Sequence, residues 1–394
     1  YNYYELYTKF GDVPYTTKVL SIKESMSIAR TAKATVIANV LADLDEVING
    51  NYLPTSYDAD NKGRITRWAA MAIKAKIYLF EGNWTQVKNI TSTIMTEGGF
   101  KLFGSYAGLF EIANEYNSEV ILDAQYRPTS REHQMMYVFL PPTLGGYSQL
   151  SPLQELVDSY IMLDGKTIKE TGTSFDESHP YANRDPRLKA TVMYTGNSYT
   201  LADGTEVVIN CEKGEGKDGY GVGSDCSATG YYIKKYWDNT YRATLYSGLN
   251  PILIRYADIL LMNAEALAEL GELDKTAWDA TIKPIRDRAG FTLASALEFP
   301  EGASKDKLIE IVRNERRSEL ALEGHRHKDI IRWRIADNVL NGWCHGLKTN
   351  DVVGTDDGYV RVENRTFNAN KHYLWPIPQA ERDLNGNLEQ NPNW

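Results

Sequence analysis

The chain has 394 residues, 42% of them hydrophobic and 24% charged, and a net charge of −9. That composition argues against a disordered chain, and the acidic balance against general binding to phosphate backbones, so no nucleic-acid partner is expected. No apolar run reaches the ~18 residues of a membrane span; the longest stretch, 252–270, is interrupted by Arg255, Asp258, Asn263, Glu265 and Glu269.

The N-terminal third reads as helices joined by short turns. Apolar residues at Val36, Val40, Leu44, Val47 and Ile48 predict a helix over 28–48, stopped by Asn49-Gly50-Asn51. A second helix is predicted over 65–81 and a third over 84–95, ending at Gly98-Gly99. From Glu119 to Asn250 the helical period fades. Val120 to Leu122, Ala190 to Tyr194 and Tyr231 to Tyr236 read as short strands, separated by Pro141-Pro142, Gly145-Gly146 and a glycine-rich run over 214–223. Helices return at Asn250, a good N-cap followed by Pro251, and run to Gly271. Further helices are predicted over 275–289 (kinked at Pro284), 304–323 and 328–339, and the last fifty residues read as irregular. The stretches 75–84 (AKIYLFEGNW) and 264–273 (AEALAELGEL) echo each other, each with a glycine between two helices. That grammar is tetratricopeptide-like. The expected fold is therefore mostly α, a tetratricopeptide-like helix-pair superhelix with a long irregular insertion containing short strands. One domain is expected, divided into a helical part (1–118), the insertion (119–249), a second helical part (250–340) and a tail (341–394).

Tyrosine is the compositional outlier, with 26 residues against 10 phenylalanines. A buried tyrosine needs a partner for its hydroxyl, so an apolar core favours phenylalanine, whereas Tyr and Trp suit stacking on half-polar flat ligands such as sugar rings. A Tyr-rich helical core accounts for the same count. Cys211 and Cys226 share a loop-rich stretch and either pair or stay free, and Cys344 stands apart.

Sequences that carry catalytic chemistry are scarce. Glu315, Glu319 and Glu323 share a predicted helix face with apolar residues. They suit either a raised-pKa acid or an ion network with Arg316, Arg317, Arg326 or Arg332, and the local arginine density favours the network. His325 and His327 read as metal ligands only if the helix breaks at Gly324, and no third ligand is evident. The run from Asp58 to Gly63 begins like a calcium loop but fails at Lys62 and Ala69. Gly214 to Gly219 matches G-x-G-x-x-G, but Glu215 and Asp218 would repel a pyrophosphate. No metal or cofactor is expected.

Several stretches together resemble one family. PILIRYADILLMNAEA (251–266) resembles the RYADILLMYAEA signature of the SusD/RagB family. Gly11-Asp12-Val13-Pro14, Gly63-Arg64 with Gly82-Asn83-Trp84, Asn183 to Arg187, Asn314 to Trp333, and Tyr373 to Pro378 with Gln390-Asn391-Pro392 resemble other family segments, in the family's order. The resemblance implies a helix-pair scaffold, no catalysis, and capture of oligo- or polysaccharide by a cell-surface lipoprotein of the outer membrane, beside a SusC-type TonB-dependent transporter. It also implies a signal peptide, a lipidated cysteine and further helices ahead of Gly11, so the chain is expected to be N-terminally incomplete, with its only membrane attachment a lipid anchor outside this sequence. Arg255, Asp258, Glu315, Arg316, Glu323, Arg326 and Asp329 fall in signatures that hold the fold. Aromatic and polar residues outside the signatures are then the glycan candidates: Trp237, Tyr241 and Tyr147 first, with Asp238, Asn239 and Arg242 beside them, then Tyr246 and Tyr220. Trp237→Ala is expected to lower glycan affinity with little change in melting temperature. A peptide-binding role of the RagB kind and a glycosidase are the competing readings.

Overall fold

In the computed structural model, which describes residues 1–241 and 245–394, side-chain caps set some of the helix starts. The N-terminal block holds α1 (Asn2–Phe10), α2 (Lys33–Asn49), α3 (Arg67–Phe80) and α4 (Trp84–Glu97). Thr66 and Asn83 cap α3 and α4 by accepting from backbone amides three residues on. The predicted helix over 28–48 starts later than its apolar period suggested, because Thr31 pairs with Val13 as an isolated bridge.

The insertion opens with β1 (Val120–Asp123) and contains the short helices α5 (Gln154–Ser159) and α6 (Pro186–Thr191). The predicted strand over 190–194 is a helix end followed by β2 (Val192–Met193). β3 (Ser198–Thr200) and β4 (Glu206–Val208) form a hairpin, and β5 (Tyr232–Ile233) pairs with β2. The three cysteines are unpaired.

Asn250 does not cap a helix. Its side chain accepts from the Tyr126 amide at 2.6 Å and donates to Asp123 at 3.2 Å. Residues Ile252–Arg255 form β6, antiparallel to β1, before α7 (Tyr256–Leu270) begins. α8 (Lys275–Ala289) runs through Pro284, and α9 (Lys305–Glu319) is capped by Ser304. α9 stops short of Glu323, and the last predicted helix splits into α10 (Arg326–Arg332) and a four-residue helix, Ala336–Val339. The C-terminal tail is not wholly irregular: β7 (Gly342–Lys348), β8 (Thr355–Asp356) and β9 (Tyr359–Arg365) form a three-stranded sheet in the order 7-9-8.

α7 is the hub, buried on nearly every side from Ala257 to Ala268 and packed on α3, α4, α8 and α9. The echo in the sequence corresponds to two helix-pair turns, where Gly82 (φ 71°) and Gly271 (φ 75°) take the left-handed conformation that favours glycine. One apolar core joins α1–α4 to α7, and a second joins α7, α8 and α9. The insertion has its own core, around Tyr160, Tyr199, Tyr231 and Tyr232, to which Leu347 of β7 adds. Among the described residues no helix is long and apolar enough to cross a membrane.

The glutamate face is an ion network, but its partners are not the neighbouring arginines. Glu315 meets Arg187 (2.6 Å) and Arg286 (2.7 Å). Glu319 meets Arg187 (2.9 Å), Arg255 (2.6 Å) and Arg288, and Glu323 meets Arg255 (2.7 Å) and Lys235 (2.6 Å). Glu119 bridges Arg255 and Arg288, and Asp185 pairs with Arg187. Residues adjacent on a helix point to different faces, so Arg316 and Arg332 enter a second cluster instead, with Asp258, Asp329, Glu265 and Lys76. Burial alone would raise the Glu319 carboxyl, but Arg288, Arg255 and Arg187 outweigh it and hold it below the usual carboxylate range. Glu315 and Glu323 are held down in the same way by their cations, so the three glutamates stay ionised, the opposite of a general acid.

His325 sits 3.3 Å from the Lys76 ammonium, and burial together with that lysine pushes its pKa down. Among the described residues no group of His, Cys, Asp and Glu is arranged to hold a metal. Asp58 caps a short turn at Asn61 rather than opening a calcium loop.

Candidate functional site

Three loops of the insertion meet around Tyr137 and Tyr147. The first folds back through a turn at Pro142–Leu144 and Gly145, whose φ of 84° suits glycine. Gly146 passes so close to the Leu140 carbonyl that a β-carbon there would lie 2.2 Å from the oxygen. This close return pairs the two arms: the Tyr147 amide donates to the Tyr137 carbonyl at 3.0 Å and the Leu150 amide to that of Val138 at 2.9 Å. The Tyr137 and Tyr147 rings stand with centroids 4.3 Å apart and planes 33° apart. The Tyr147 residue is 40% exposed.

The second loop carries most of the sequence candidates. Asp238 is buried and turned inward: Oδ1 accepts from the Thr240 amide (3.0 Å) and hydroxyl (2.6 Å), and Oδ2 from Ser247 Oγ (2.6 Å). It closes the loop, leaving little lone-pair capacity for a ligand. Trp237 is half-buried, edge-on to Tyr199 at 5.3 Å, with its indole N–H donating to the Thr200 carbonyl at 2.8 Å. It packs on the insertion core, so the expectation that its removal would leave stability unchanged does not fit its surroundings. Asn239 is half-buried in a short turn, and Tyr246 is 44% exposed. Arg242 lies outside the described residues, as does the Tyr241 side chain.

Leu245 reaches back to the first loop, its Cδ1 3.6 Å from where a β-carbon on Gly145 would stand. The third loop is tied on by Asp218, which accepts from the Thr143 amide at 2.8 Å. Tyr220 from this loop is half-buried against the core. The hydroxyl of Tyr147, burial and the negative charge of Asp225 raise the Tyr137 phenol, so it stays protonated and able to donate. The structure thus brings Tyr147 together with Tyr137 and sets the Leu245–Tyr246 segment against their loop. Exposed rings with phenol, amide and carboxylate groups around them suit stacking and hydrogen bonding to a hydroxylated ligand.

Tyr137 was not picked out from the sequence, because nothing local marks a partner ten residues upstream of Tyr147. A second aromatic feature was also missed. Tyr181 and Tyr194 stack at 4.0 Å and 17° in a cleft of about 1150 Å³ between the insertion and β7–β9. Many tyrosines of the insertion nevertheless serve its core through hydroxyl bonds: Tyr199 to the Ile233 carbonyl (2.7 Å), Tyr231 to Gln154 (2.6 Å) and Tyr232 to the Asp218 carbonyl (2.5 Å). Much of the tyrosine excess therefore belongs to the core, the alternative that the composition left open.

Comparison with known proteins agrees with this architecture. The model of the SusD family matches residues 109–394, and one described as "Starch-binding associating with outer membrane" matches residues 1–79. SusD-like protein P25 of Formosa agariphila is 28% identical over 362 residues, covering 86% of this chain; the chain spans 62% of that relative's length. A SusD-like carbohydrate binding protein from Bacteroides fragilis superposes with a TM-score of 0.86 at 29% identity, covering 98% of this chain and 77% of the other. A second SusD-like protein from the same organism gives a TM-score of 0.81 at 28% identity, covering 100% of this chain and 77% of the other. With the helix-pair scaffold, the buried ion network of its signature residues and a family match across most of its length, this chain belongs to the SusD family.

Proposed function

We propose that the protein binds oligo- or polysaccharide without cleaving it, at the Tyr137–Tyr147 face, and delivers it at the outer-membrane surface to a SusC-type TonB-dependent transporter. The observation that carries this reading is the exposed Tyr147 ring, paired with Tyr137 and fixed by the Gly145–Gly146 return. Tyr246 and Asn239 extend the face, with Tyr241 and Arg242 as further contacts on the same loop and Tyr220 at its edge. Trp237 and Asp238 support the loop from beneath. The relative from B. fragilis that is named as carbohydrate binding supports a sugar ligand. The family description of the segment 1–79 supports the outer-membrane setting. A surface lipoprotein held by an acyl chain fits that setting.

Calorimetric titration against soluble polysaccharides, with a check for new reducing ends, tests the proposal. One glycan class should bind with no new ends, and Tyr147→Ala should weaken it roughly tenfold, about 1.4 kcal/mol, with the melting temperature little changed. New reducing ends would refute capture without catalysis. Binding of peptides alone would move the ligand class.

A further inference from the structure

A cavity of about 850 Å³ lies among α8, α9, α10 and the loop over 161–170, lined by none of the aromatic-face residues. That is a size typical of small-ligand sites. Its wall carries two arginines without carboxylate contacts. Arg326 has no ion pair or hydrogen bond among the described residues; its guanidinium only lies over the Trp333 ring, 5.8 Å from the centroid. Arg317 makes one hydrogen bond, to the Glu155 carbonyl at 2.5 Å.

The other arginines of α9 are neutralised. Arg313 pairs with Glu269 at 3.0 Å, and Arg316 with Asp258 and Asp329. Of the carboxylates that line the cavity, Glu298 is engaged by Lys275 and Lys283 and Glu310 by Lys307, Asp164 and Glu170 accept from the backbone amides of Lys166 and Thr167, and Asp306 stands at the start of α9. The acids nearest Arg317 are committed too: Glu155 accepts from His345 at 2.8 Å, and Asp158 from Gln154 at 2.7 Å. Burial and the charge of Arg326 push Arg317 down to about 10, the mark of cations without a close counter-charge. Two planar guanidinium forks are the donor set that takes a carboxylate or sulfate group.

We infer that this cavity binds an oxyanion, the carboxylate or sulfate of an acidic sugar or the free inorganic ion, between Arg317 and Arg326. The site is separate from the proposed glycan face, so each stands or falls alone.

The test is calorimetry on the full chain with sodium galacturonate, galactose and sodium sulfate at matched ionic strength. Galacturonate should bind and galactose should not, and Arg326→Gln should weaken binding at least tenfold while Tyr147→Ala leaves it unchanged. Without anion, Arg326→Gln should melt no lower than the parent, because it relieves repulsion with Arg317. Sulfate bound with galacturonate silent would keep the oxyanion site and assign it to the inorganic ion. Neither anion binding, or unchanged binding in both Arg326→Gln and Arg317→Gln, would overturn the inference.

Discussion

Arg255→Met tests whether the fold depends on its internal charge balance. The network around α9 contains five carboxylates, Asp185, Glu119, Glu315, Glu319 and Glu323, and five cations, Arg187, Lys235, Arg255, Arg286 and Arg288. Arg255 touches three of the acids at 2.6 to 2.7 Å and also donates to the Glu319 carbonyl at 2.8 Å. Methionine fills much of its volume but leaves one uncompensated negative charge in the interior. Breaking a buried pair on one side costs about 3–5 kcal/mol. At ~2.1 cal/mol/K per residue, a 394-residue chain has an unfolding entropy of about 0.8 kcal/mol/K. The melting temperature should then fall by about 4–6 °C at pH 7. The folded-state carboxyls of Glu319 and Glu323 are depressed, so their stabilisation is present above the ordinary glutamate range and is lost as pH falls through their folded values. Without Arg255 they are held down less, and acid unfolding should begin at higher pH. Urea melts at pH 7, with thermal scans between pH 3 and 7, measure both effects. A loss below about 1 kcal/mol with an unmoved acid limb would refute the claim that the fold depends on this charge balance.

Two further outcomes follow from the geometry. Trp237→Ala should lower stability by about 1–3 kcal/mol, since the ring is half-buried and its N–H bonded; Tyr147→Ala should not. Equal urea midpoints for the two variants would place Trp237 outside the core. His345 bridges Glu155 (2.8 Å) and Asp356 (3.0 Å), joining α5 to the β7–β9 sheet. Burial opposes its charge, but Asp356 and Glu155 outweigh it and raise its pKa. Its stabilisation is complete below the ordinary histidine value and lost as pH rises through the folded one. His345→Gln should therefore melt lower than the parent at pH 5.5 and converge with it at pH 9, and a constant gap would contradict the bridge.

Helix starts were legible where a local side chain makes the cap, as at Ser304, which accepts from the Lys307 amide. Elements were misread where the decisive partner lies far along the chain. Asn250 has the composition of a cap, yet its bonds go to Tyr126 and Asp123 across the β1–β6 pair. The tail sheet escaped notice because β7 carries two glycines and no clean alternation, so no face announces itself. For the site, the glycine pair before Tyr147 carried a usable signal, since a close return needs glycine. Trp237 and Asp238 have the composition of a sugar site, but composition does not say which way a side chain turns.

Charge and aromatics meet at the seam between the insertion and the scaffold, where Lys235 stands 4.3 Å and Arg255 5.7 Å from the Phe110 ring centroid and Arg288 lies over Tyr106. The insertion contributes Arg187 and Lys235 to a network whose carboxylates lie mostly on α9 and the residue just beyond it. Apolar contact crosses the same seam, where Tyr236 and Leu249 join Tyr106, Leu109 and Phe110, and Ile161 joins Ala289 and Phe291. The directional ion pairs fix one orientation of the insertion on that apolar contact, which by itself would tolerate sliding. A fixed insertion holds the Tyr137–Tyr147 pair in one arrangement, so under the proposed function binding need not order those loops, a cost of about 0.5–1.5 kcal/mol for each side chain immobilised. The loops at the surface carry few of the network's charges, and can therefore change sequence without loosening the frame beneath them.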